Sequence, residues 1–174
     1  QNIYKAFFGV PALRDVNVNV NEGRILGLIG ENGAGKSTLM NIIGGVVSAD
    51  SGQMTLAGQN YTPRKPSDAT KNGIAFIHQE LNLFTNLSIA ENIFIDGFPK
   101  RGLFIDKAKM QKRVAELLKS VGLDVSPDTL VDTLSPGERQ LVEIVSALNI
   151  DAKLIIFDEP TTSLTARETE RLFA

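Results

Sequence analysis

The first third of the chain shows two apolar patterns, and both are typical of β-strands. Val16, Val18 and Val20 alternate with asparagines, which predicts a half-buried strand before a turn at 21–23. Residues 24–29 are then apolar without alternation, which predicts a strand covered on both faces. A glycine-rich loop comes next. The other elements predicted here are a helix and two strands: 37–43, 52–61 (with a turn at Gly58) and 74–77.

The middle of the chain changes to the period of amphipathic helices. Asp106 can cap a helix, and Gly122 stands where a left-handed C-terminal residue belongs. Ser88 and Ser135 are each followed three residues later by glutamate, which predicts two capping boxes. The predicted inner faces are Met110, Val114, Leu117, Leu118 and Val121, and then Leu141, Ile144, Val145 and Leu148. Strands, an all-helical insert and a buried strand at 154–157 together predict an α/β core with a helical subdomain.

Composition and charge exclude several classes of protein. The chain has 174 residues, 43% hydrophobic and 22% charged, so it can bury the core of about one domain. Its net charge of −2 provides no global basic field for nucleic acid. The absence of cysteine excludes a disulfide. With one histidine and no cysteine, the chain lacks the usual ligand set of a structural zinc site. It begins without Met and ends in a helix-like stretch, 166–174, which predicts a piece of a longer protein.

The strongest chemical signal is GENGAGKS at residues 30–37, which fits the phosphate-binding pattern G-x-x-x-x-G-K-[ST]. Glycines let N–H groups approach a phosphate, and the helix start adds partial positive charge. Lys36 would bring a point charge to the β- and γ-phosphates, and Ser37 an oxygen to Mg²⁺. The alternative is a glycine-rich turn with a solvated lysine. The nucleotide-binding residues predicted here are Gly30, Asn32, Gly33, Ala34, Gly35, Lys36, Ser37 and Thr38.

Two further segments suit a nucleotide site. Asp158 and Glu159 follow the apolar strand, at the end of a strand where open α/β sheets bind ligands. Asp158 is predicted to hold Mg²⁺ and Glu159 to be the catalytic base that polarises water, the alternative being an acidic turn. Residues 134–140 (LSPGERQ) by themselves predict only a capped helix. A helix start is also an anion site, so Ser135 and Lys36 offer two.

These motifs together resemble the ATP-binding subunit of ABC transporters. The phosphate loop, Gln79 after a strand, 134–140 ahead of Asp158 and Glu159, and Thr-Ser-Leu-Thr at 162–165 occur in the family's order. The resemblance implies an α/β P-loop NTPase core with a mostly parallel sheet, an N-terminal antiparallel β subdomain and a helical subdomain inserted after the Gln79 loop. It implies one incomplete nucleotide-binding domain in three parts: 1–78 (β subdomain and phosphate-loop part of the core), 79–135 (helical subdomain) and 136–174 (signature helix, Walker B strand and D-loop).

The resemblance also assigns roles to single residues. Ser135 and the Gly137 N–H would bind ATP held by a partner domain. Pro136 and Glu138 depart from the family's Leu-Ser-Gly-Gly-Gln signature, and Pro136 lacks an N–H, so we expect weaker binding there. Gln79 would contact the nucleotide and Mg²⁺ and lead toward the membrane domain; the alternative is a polar residue at a strand end.

Phe7 lies 29 residues before Lys36, where the resemblance places an aromatic ring that stacks on adenine. An ordinary core phenylalanine is the alternative. The family pattern continues to a strand with a switch histidine, which this sequence does not contain. We therefore expect Leu28 and Ile156 to lack a neighbouring strand, and the 174-residue chain alone to be inactive as an ATPase.

Four stretches look like the bacterial importers of ribose, galactose and xylose: 78–83, 88–94, 141–144 and 163–168. By this resemblance the chain is the N-terminal half of a subunit that hydrolyses ATP to power monosaccharide import. Its partners would be a second nucleotide-binding domain in the other half of the same chain, permease subunits facing residues 85–94 and, indirectly, a sugar-binding protein, with no nucleic acid. It would be cytoplasmic, peripheral on the inner face of the bacterial plasma membrane. The alternatives are a non-transport ABC ATPase, which the net charge disfavours, and a regulatory half with poor turnover.

Overall fold

The computed structural model describes residues 1–77 and 82–158. The chain divides into two compact units, Gln1–Ile74 and Ala75–Ala174. Each unit has its own hydrophobic core, and the second core is the larger of the two.

The first unit is built on a β-hairpin that packs against a helix. Its elements in chain order are β1 (Ile3–Phe7), β2 (Val10–Val16), α1 (Lys36–Ile43), β3 (Thr55–Leu56), β4 (Gln59–Asn60) and α2 (Pro66–Lys71). The pairs β1/β2 and β3/β4 are both antiparallel, as the N-terminal part was predicted to be. The hairpin and α1 supply the fully buried side chains Ile3, Leu13, Leu39 and Ile42.

The run 24–29, predicted as a strand covered on both faces, is not a strand in this structure. Ile25 and Ile29 are 75% and 99% exposed. Leu28, which we expected to lack a neighbouring strand, is 37% exposed. An apolar run shows only that a segment tolerates burial, whereas a strand forms where neighbouring backbone satisfies its N–H and C=O groups. No strand of the described residues pairs with this run.

Of the three alternating valines, which predicted a strand through Val20, Val16 alone lies in a strand. The strand ends at Val16, and Val18 and Val20 are exposed. Val16 pairs with Ile3 at the end of the ladder, and beyond it the Asn2 N–H donates to the Asn17 side chain (2.9 Å) instead of to strand backbone. The turn predicted at 21–23 is present, with Arg24 N–H donating to Asn21 O at 3.2 Å.

The second unit contains the helices. Its elements are β5 (Ile74–Ile77, which begins at the boundary), α3 (Ile89–Ile93), β6 (Lys100–Arg101), β7 (Phe104–Ile105), α4 (Lys107–Ser120), a 3₁₀ turn (Val131–Thr133), α5 (Pro136–Asn149) and β8 (Leu154–Phe157). β5 and β8 are neighbours in one sheet. Helices α3, α4 and α5 pack around a shared core, and its most completely buried side chains are Ile89, Val114, Leu118, Val131, Val142 and Val145.

The helix ends in this unit follow the sequence signals. Asp106 accepts a hydrogen bond from the Lys109 N–H (3.0 Å), and Gly122 is left-handed at φ 70°. Both predicted capping boxes are present, at Ser88 and at Ser135. These predictions are confirmed because a cap and an apolar stripe involve residues within one or two turns of each other.

Two predictions for this unit were wrong. The insert is not all-helical, because the antiparallel hairpin β6/β7 lies between α3 and α4. Its two-residue strands, joined through Gly102, are too short to give a period-2 signal. Ile156, expected to lack a neighbouring strand, lies on β8, which has β5 beside it, and its side chain is 8% exposed. Among the described residues, no helix is long and apolar enough to span a membrane.

Candidate functional site

The glycine-rich loop delivers an open helix start. Gly33 and Gly35 have φ values of 86° and 89°, a left-handed conformation that favours glycine. Gly35 is the N-cap of α1, no side chain caps this end, and the first turn holds no acidic residue. The first N–H groups of a helix have no partner within the helix and carry partial positive charge. This end of α1 is therefore suited to an anion.

Lys36 lies directly over this loop. Its Nζ donates to Gly30 O at 2.7 Å and to Glu31 O at 2.9 Å. The Ala34 N–H also donates to Glu31 O (3.1 Å), which closes the loop on itself. The ammonium is thus held on the glycine-rich loop that leads into α1.

Gly35 is required by packing as well as by conformation. A Cβ at this position would lie 2.7 Å from Ala12 O and 2.7 Å from Leu13 Cδ2. The loop therefore approaches strand β2 as closely as backbone allows. All eight predicted phosphate-loop residues lie in this loop and the first turn of α1, with Ser37 exposed.

Phe7 ends strand β1 and is 41% exposed, outside the buried core of its unit. The Lys5 Nζ lies 5.4 Å from the centre of its ring, a cation–π distance. Lys5 also pairs with Asp50 (2.7 Å), and Asp50 accepts the Ala6 N–H (2.8 Å). These hydrogen bonds, from Lys5 first, lower the pKa of Asp50. An aromatic face at this position is available for stacking.

A second aromatic residue, Phe8, lies here and was not predicted from the sequence. Phe8 is fully exposed and has φ 50°, and Gly9 follows at φ 82°. Phe7 pairs with Val10, so Phe8 and Gly9 form a two-residue hairpin turn, which needs positive φ at both positions. The signal was Phe-Gly between two strand-like runs.

Asp158 follows the last residue of β8. Its N–H donates to Ile77 O at 3.0 Å, so it lies beside the end of β5, the strand that leads to Gln79. Gln79 and Glu159 themselves lie outside the described residues. The structure therefore brings together the ends of the two strands that carry these predicted site residues.

Ser135 is the N-cap of α5, and its hydrogen-bonding groups are used within that helix. The Ser135 N–H and hydroxyl both donate to Glu138 Oε2 at 2.8 Å, and the Glu138 N–H donates back to Ser135 Oγ at 3.3 Å. Pro136 lacks an N–H, and Gly137 is buried. A carboxylate therefore stands at this helix start, where the resemblance implies a phosphate.

Two further residues of α5 make contacts that sequence analysis missed. Arg139 donates to the carbonyls of Val131 (3.0 Å) and Asp132 (2.8 Å), just before the helix. Glu143, one turn later, accepts the Asn82 N–H at 2.7 Å. The partner of Glu143 is 61 residues away in sequence, and Arg139 turns back to carbonyls seven and eight residues before it, so the helical pattern of α5 reveals neither contact.

Two predicted metal ligands each carry an oxygen of the kind that suits Mg²⁺. Ser37 provides a hydroxyl oxygen and Asp158 a carboxylate, the hard oxygen ligands that Mg²⁺ prefers. The two belong to different units. No cluster of three or more histidine, cysteine, aspartate or glutamate residues forms a metal site within residues 1–77 and 82–158.

An open helix start under a glycine-rich loop, with a lysine at its first position, defines a P-loop nucleotide-binding protein. The sequence pattern of the family described as ABC transporter matches residues 13–162. The chain belongs to the ABC transporter family.

Curated relatives agree with this assignment. The chain is 48% identical over 172 residues to a putative ribose/galactose/methyl galactoside import ATP-binding protein of Agrobacterium fabrum, covering 98% of this chain and 34% of the relative. It is 44% identical over 174 residues to an arabinose import ATP-binding protein of Rhizobium meliloti, covering 100% and 34%. The chain thus spans about a third of the length of the curated relatives it matches.

Solved structures agree on the fold. The ADP conformation of an ATP-binding cassette of an ABC transporter superimposes with a TM-score of 0.84 at 28% identity, covering 98% of this chain and 71% of that one. A dimeric, post-hydrolysis cassette bound to ADP and Pi superimposes with a TM-score of 0.79 at 27% identity, covering 99% and 78%. The predicted fold class, a P-loop NTPase core of mixed α/β structure, is confirmed.

Proposed function

We propose that the chain is the N-terminal nucleotide-binding half of a subunit that binds and hydrolyses ATP to power monosaccharide import through an ABC transporter. The observation that carries this proposal is the Lys36 ammonium bound to the Gly30 and Glu31 carbonyls of the loop that leads into the uncapped start of α1. Relatives named as sugar import ATP-binding proteins support the transport role.

Phosphate binding would be an exchange of partners at Lys36. The ammonium would leave the Gly30 and Glu31 carbonyls for the β- and γ-phosphate oxygens, and the N–H groups of 33–38 would complete the cradle. Thr38 would add a hydroxyl contact. The Phe7 ring, exposed beside Lys5, would stack on adenine.

Hydrolysis would depend on the residues after β8. Glu159 would accept a proton from the attacking water while Lys36 offsets charge on the transferred phosphate. Mg²⁺, when bound by Ser37, Asp158 and Gln79, would neutralise phosphate charge.

The second nucleotide-binding domain would complete the site. Ser135 and the Gly137 N–H would contact ATP held by that domain, and the dimeric cassette supports such pairing. Residues 85–94 would face the permease subunits, which receive sugar from a binding protein. The subunit would then lie in the cytoplasm against the inner face of the bacterial plasma membrane. The two relatives are named for different sugars, so the proposal stops at monosaccharide.

One observation favours a second candidate, a regulatory half with poor turnover. The Glu138 carboxylate accepts both donors of Ser135, and its negative charge would oppose a γ-phosphate at the same helix start.

The decisive experiment is an ATPase assay on the full-length subunit assembled with its permease. Lys36→Ala should lower both ATP binding and turnover by about 100-fold or more, because it removes the positioned charge. Glu159→Gln should retain ATP but stop turnover, because it removes the base. Lys71→Ala, an exposed lysine of the same unit, is the matched control. Wild-type turnover in the Lys36→Ala or Glu159→Gln variant would overturn the proposal, and slow turnover in the unaltered subunit would favour the regulatory candidate.

A further inference from the structure

Asn82, the first described residue after Gln79, is hydrogen-bonded to helix α5 through the side chain of Glu143. Asn82 follows Gln79 by three residues, and its N–H donates to Glu143 Oε1 at 2.7 Å. Glu143 lies two turns into α5, the helix whose N-cap is Ser135. The contact therefore joins two segments that the proposed function places at two different nucleotides.

The setting of Glu143 is not that of an ordinary surface carboxylate. Its second oxygen, Oε2, is buried and has no hydrogen-bond partner in the part of the chain that the structure describes. Burial raises the pKa of this carboxyl, and the Asn82 N–H partly opposes that rise. Burying a carboxyl oxygen without a partner costs free energy, so packing alone does not account for this residue.

A second residue of α5 connects the helix to segment 82–88 through residues 131–132. Arg139, four residues before Glu143, donates to Val131 O and Asp132 O. The Val131 and Asp132 N–H groups in turn donate to Leu87 O (3.1 Å) and Thr85 O (3.0 Å). Segment 82–88 is thus connected to α5 directly through Glu143 and indirectly through Arg139.

Within this segment a buried amide fixes the loop. Asn92 accepts the Phe84 N–H at 2.7 Å and donates to Phe84 O (3.0 Å) and Ser88 O (2.9 Å). The loop 84–88 is therefore ordered by α3, which leaves its beginning, at Asn82, to be held by Glu143.

We propose that Glu143 is a positioning residue that fastens the chain after Gln79 to α5, so that segment 82–88 and the Ser135 helix start move as one body. The proposal rests on the proposed function for its consequence, because it links the γ-phosphate contact of Gln79 to the trans contact of Ser135. The tie between segment 82–88 and α5, meaning the hydrogen bond from the Asn82 N–H to Glu143, can be tested without measuring ATP hydrolysis.

Hydrogen exchange on the full-length subunit tests the tie. Glu143→Ala should speed exchange of the Asn82 amide by about 3- to 10-fold, the loss of one hydrogen bond, and leave 84–88 protected by Asn92. Glu143→Gln keeps a carbonyl oxygen for the Asn82 N–H and should retain most of the protection. Glu143→Asp, which keeps the charge but shortens the reach, should behave like Glu143→Ala and serves if the alanine variant does not fold. Glu116→Ala, an exposed glutamate on α4, is the control. Unchanged exchange in Glu143→Ala or Glu143→Asp would overturn the proposal.

Kinetics of the subunit assembled with its permease test the consequence. Glu143→Ala and Glu143→Asp should lower kcat for ATP by about 2- to 30-fold, with the ATP dissociation constant within about twofold, because Lys36 and its loop are untouched. Glu143→Gln should restore kcat. Faster exchange with wild-type kcat would overturn the positioning role. Absence of ATP hydrolysis in the unaltered subunit would instead refute the proposed function, and the exchange experiment would still decide whether the tie exists.

Discussion

Helix α1 and helix α5 both begin at positions that the sequence marks as anion sites, yet their first turns are completed in opposite ways. At α1 the N-cap is Gly35, without a side-chain cap or an acidic residue in the first turn. At α5 the N-cap Ser135 and Glu138 satisfy each other's donors and place a carboxylate at the helix start. The first arrangement leaves N–H groups for a ligand, and the second uses them for the stability of the helix.

The surroundings of the two helix starts differ in the same direction. The chain before α1 is exposed from 17 to 34, whereas the chain before α5 is fixed by Arg139 and by pairing with 85–87. A site that must admit a phosphate forgoes local stabilisation, while one that must stay in register gains it. Substitutions that exchange these properties should therefore have unequal costs in the two regions.

The largest difference should come from one substitution made in both regions. Leu141→Ala, at a position 3% exposed, should lower the free energy of unfolding by about 2–5 kcal/mol, because it leaves a cavity in a packed core. Leu28→Ala, at a position 37% exposed, should cost about 1 kcal/mol or less. Urea denaturation of this chain measures both. Equal costs would show that residues 24–29 are buried in solution, which would break the comparison.

Two glycines of the phosphate loop should differ by about 2 kcal/mol. Gly33→Ala meets no atom within 4 Å and should cost only the left-handed strain of about 1–2 kcal/mol. Gly35→Ala has the same strain and also clashes with Ala12 O, so we expect about 3 kcal/mol or more. The measurement is thermal or urea unfolding. A Gly35→Ala variant as stable as Gly33→Ala would mean that the loop is not pressed against β2.

Removing the serine cap should weaken α5 by about 1 kcal/mol. Ser135→Ala deletes the acceptor for the Glu138 N–H, and Ser88→Ala deletes the equivalent acceptor for Glu91 at α3. The two losses should be similar, because both serines belong to complete capping boxes. No change for Ser135→Ala in urea unfolding would indicate that the helix start is open, like that of α1.

The smallest effect concerns charge at the α5 start. Glu138→Gln keeps an acceptor for Ser135 but removes the negative charge, so ATP-driven pairing of nucleotide-binding domains should tighten by about 2- to 5-fold. Glu91→Gln removes the corresponding charge from the other capping box and is the matched control. Analytical ultracentrifugation of this domain mixed with the separately produced second nucleotide-binding domain and ATP measures the pairing. Equal association of Glu138→Gln and the unaltered protein would remove the charge argument for weak trans binding.

Local signals in the sequence were accurate where a few neighbouring residues decide the outcome. Asp106, Ser88, Ser135 and the stripe that includes Val114 are determined within two turns of helix, and each is as expected. The phosphate loop is local in the same sense, since its glycines, its lysine and the helix start are contiguous.

Predictions that depended on distant partners were less successful. The strand at 24–29 required backbone neighbours that an apolar run cannot specify. Glu143 and Arg139 were missed because their partners, Asn82 and Val131, are set by tertiary packing. The roles predicted for Gln79 and Glu159 stay predictions, as both lie outside the described residues.

The uncovered run at 24–29 also affects how this chain behaves at high concentration. Ile25, Leu26, Leu28 and Ile29 form a short stretch of low charge without proline, the composition that promotes strand pairing between copies. Arg24 and Glu31 are the nearest charged residues on either side. Self-association of this chain through strand pairing should therefore increase as its concentration rises.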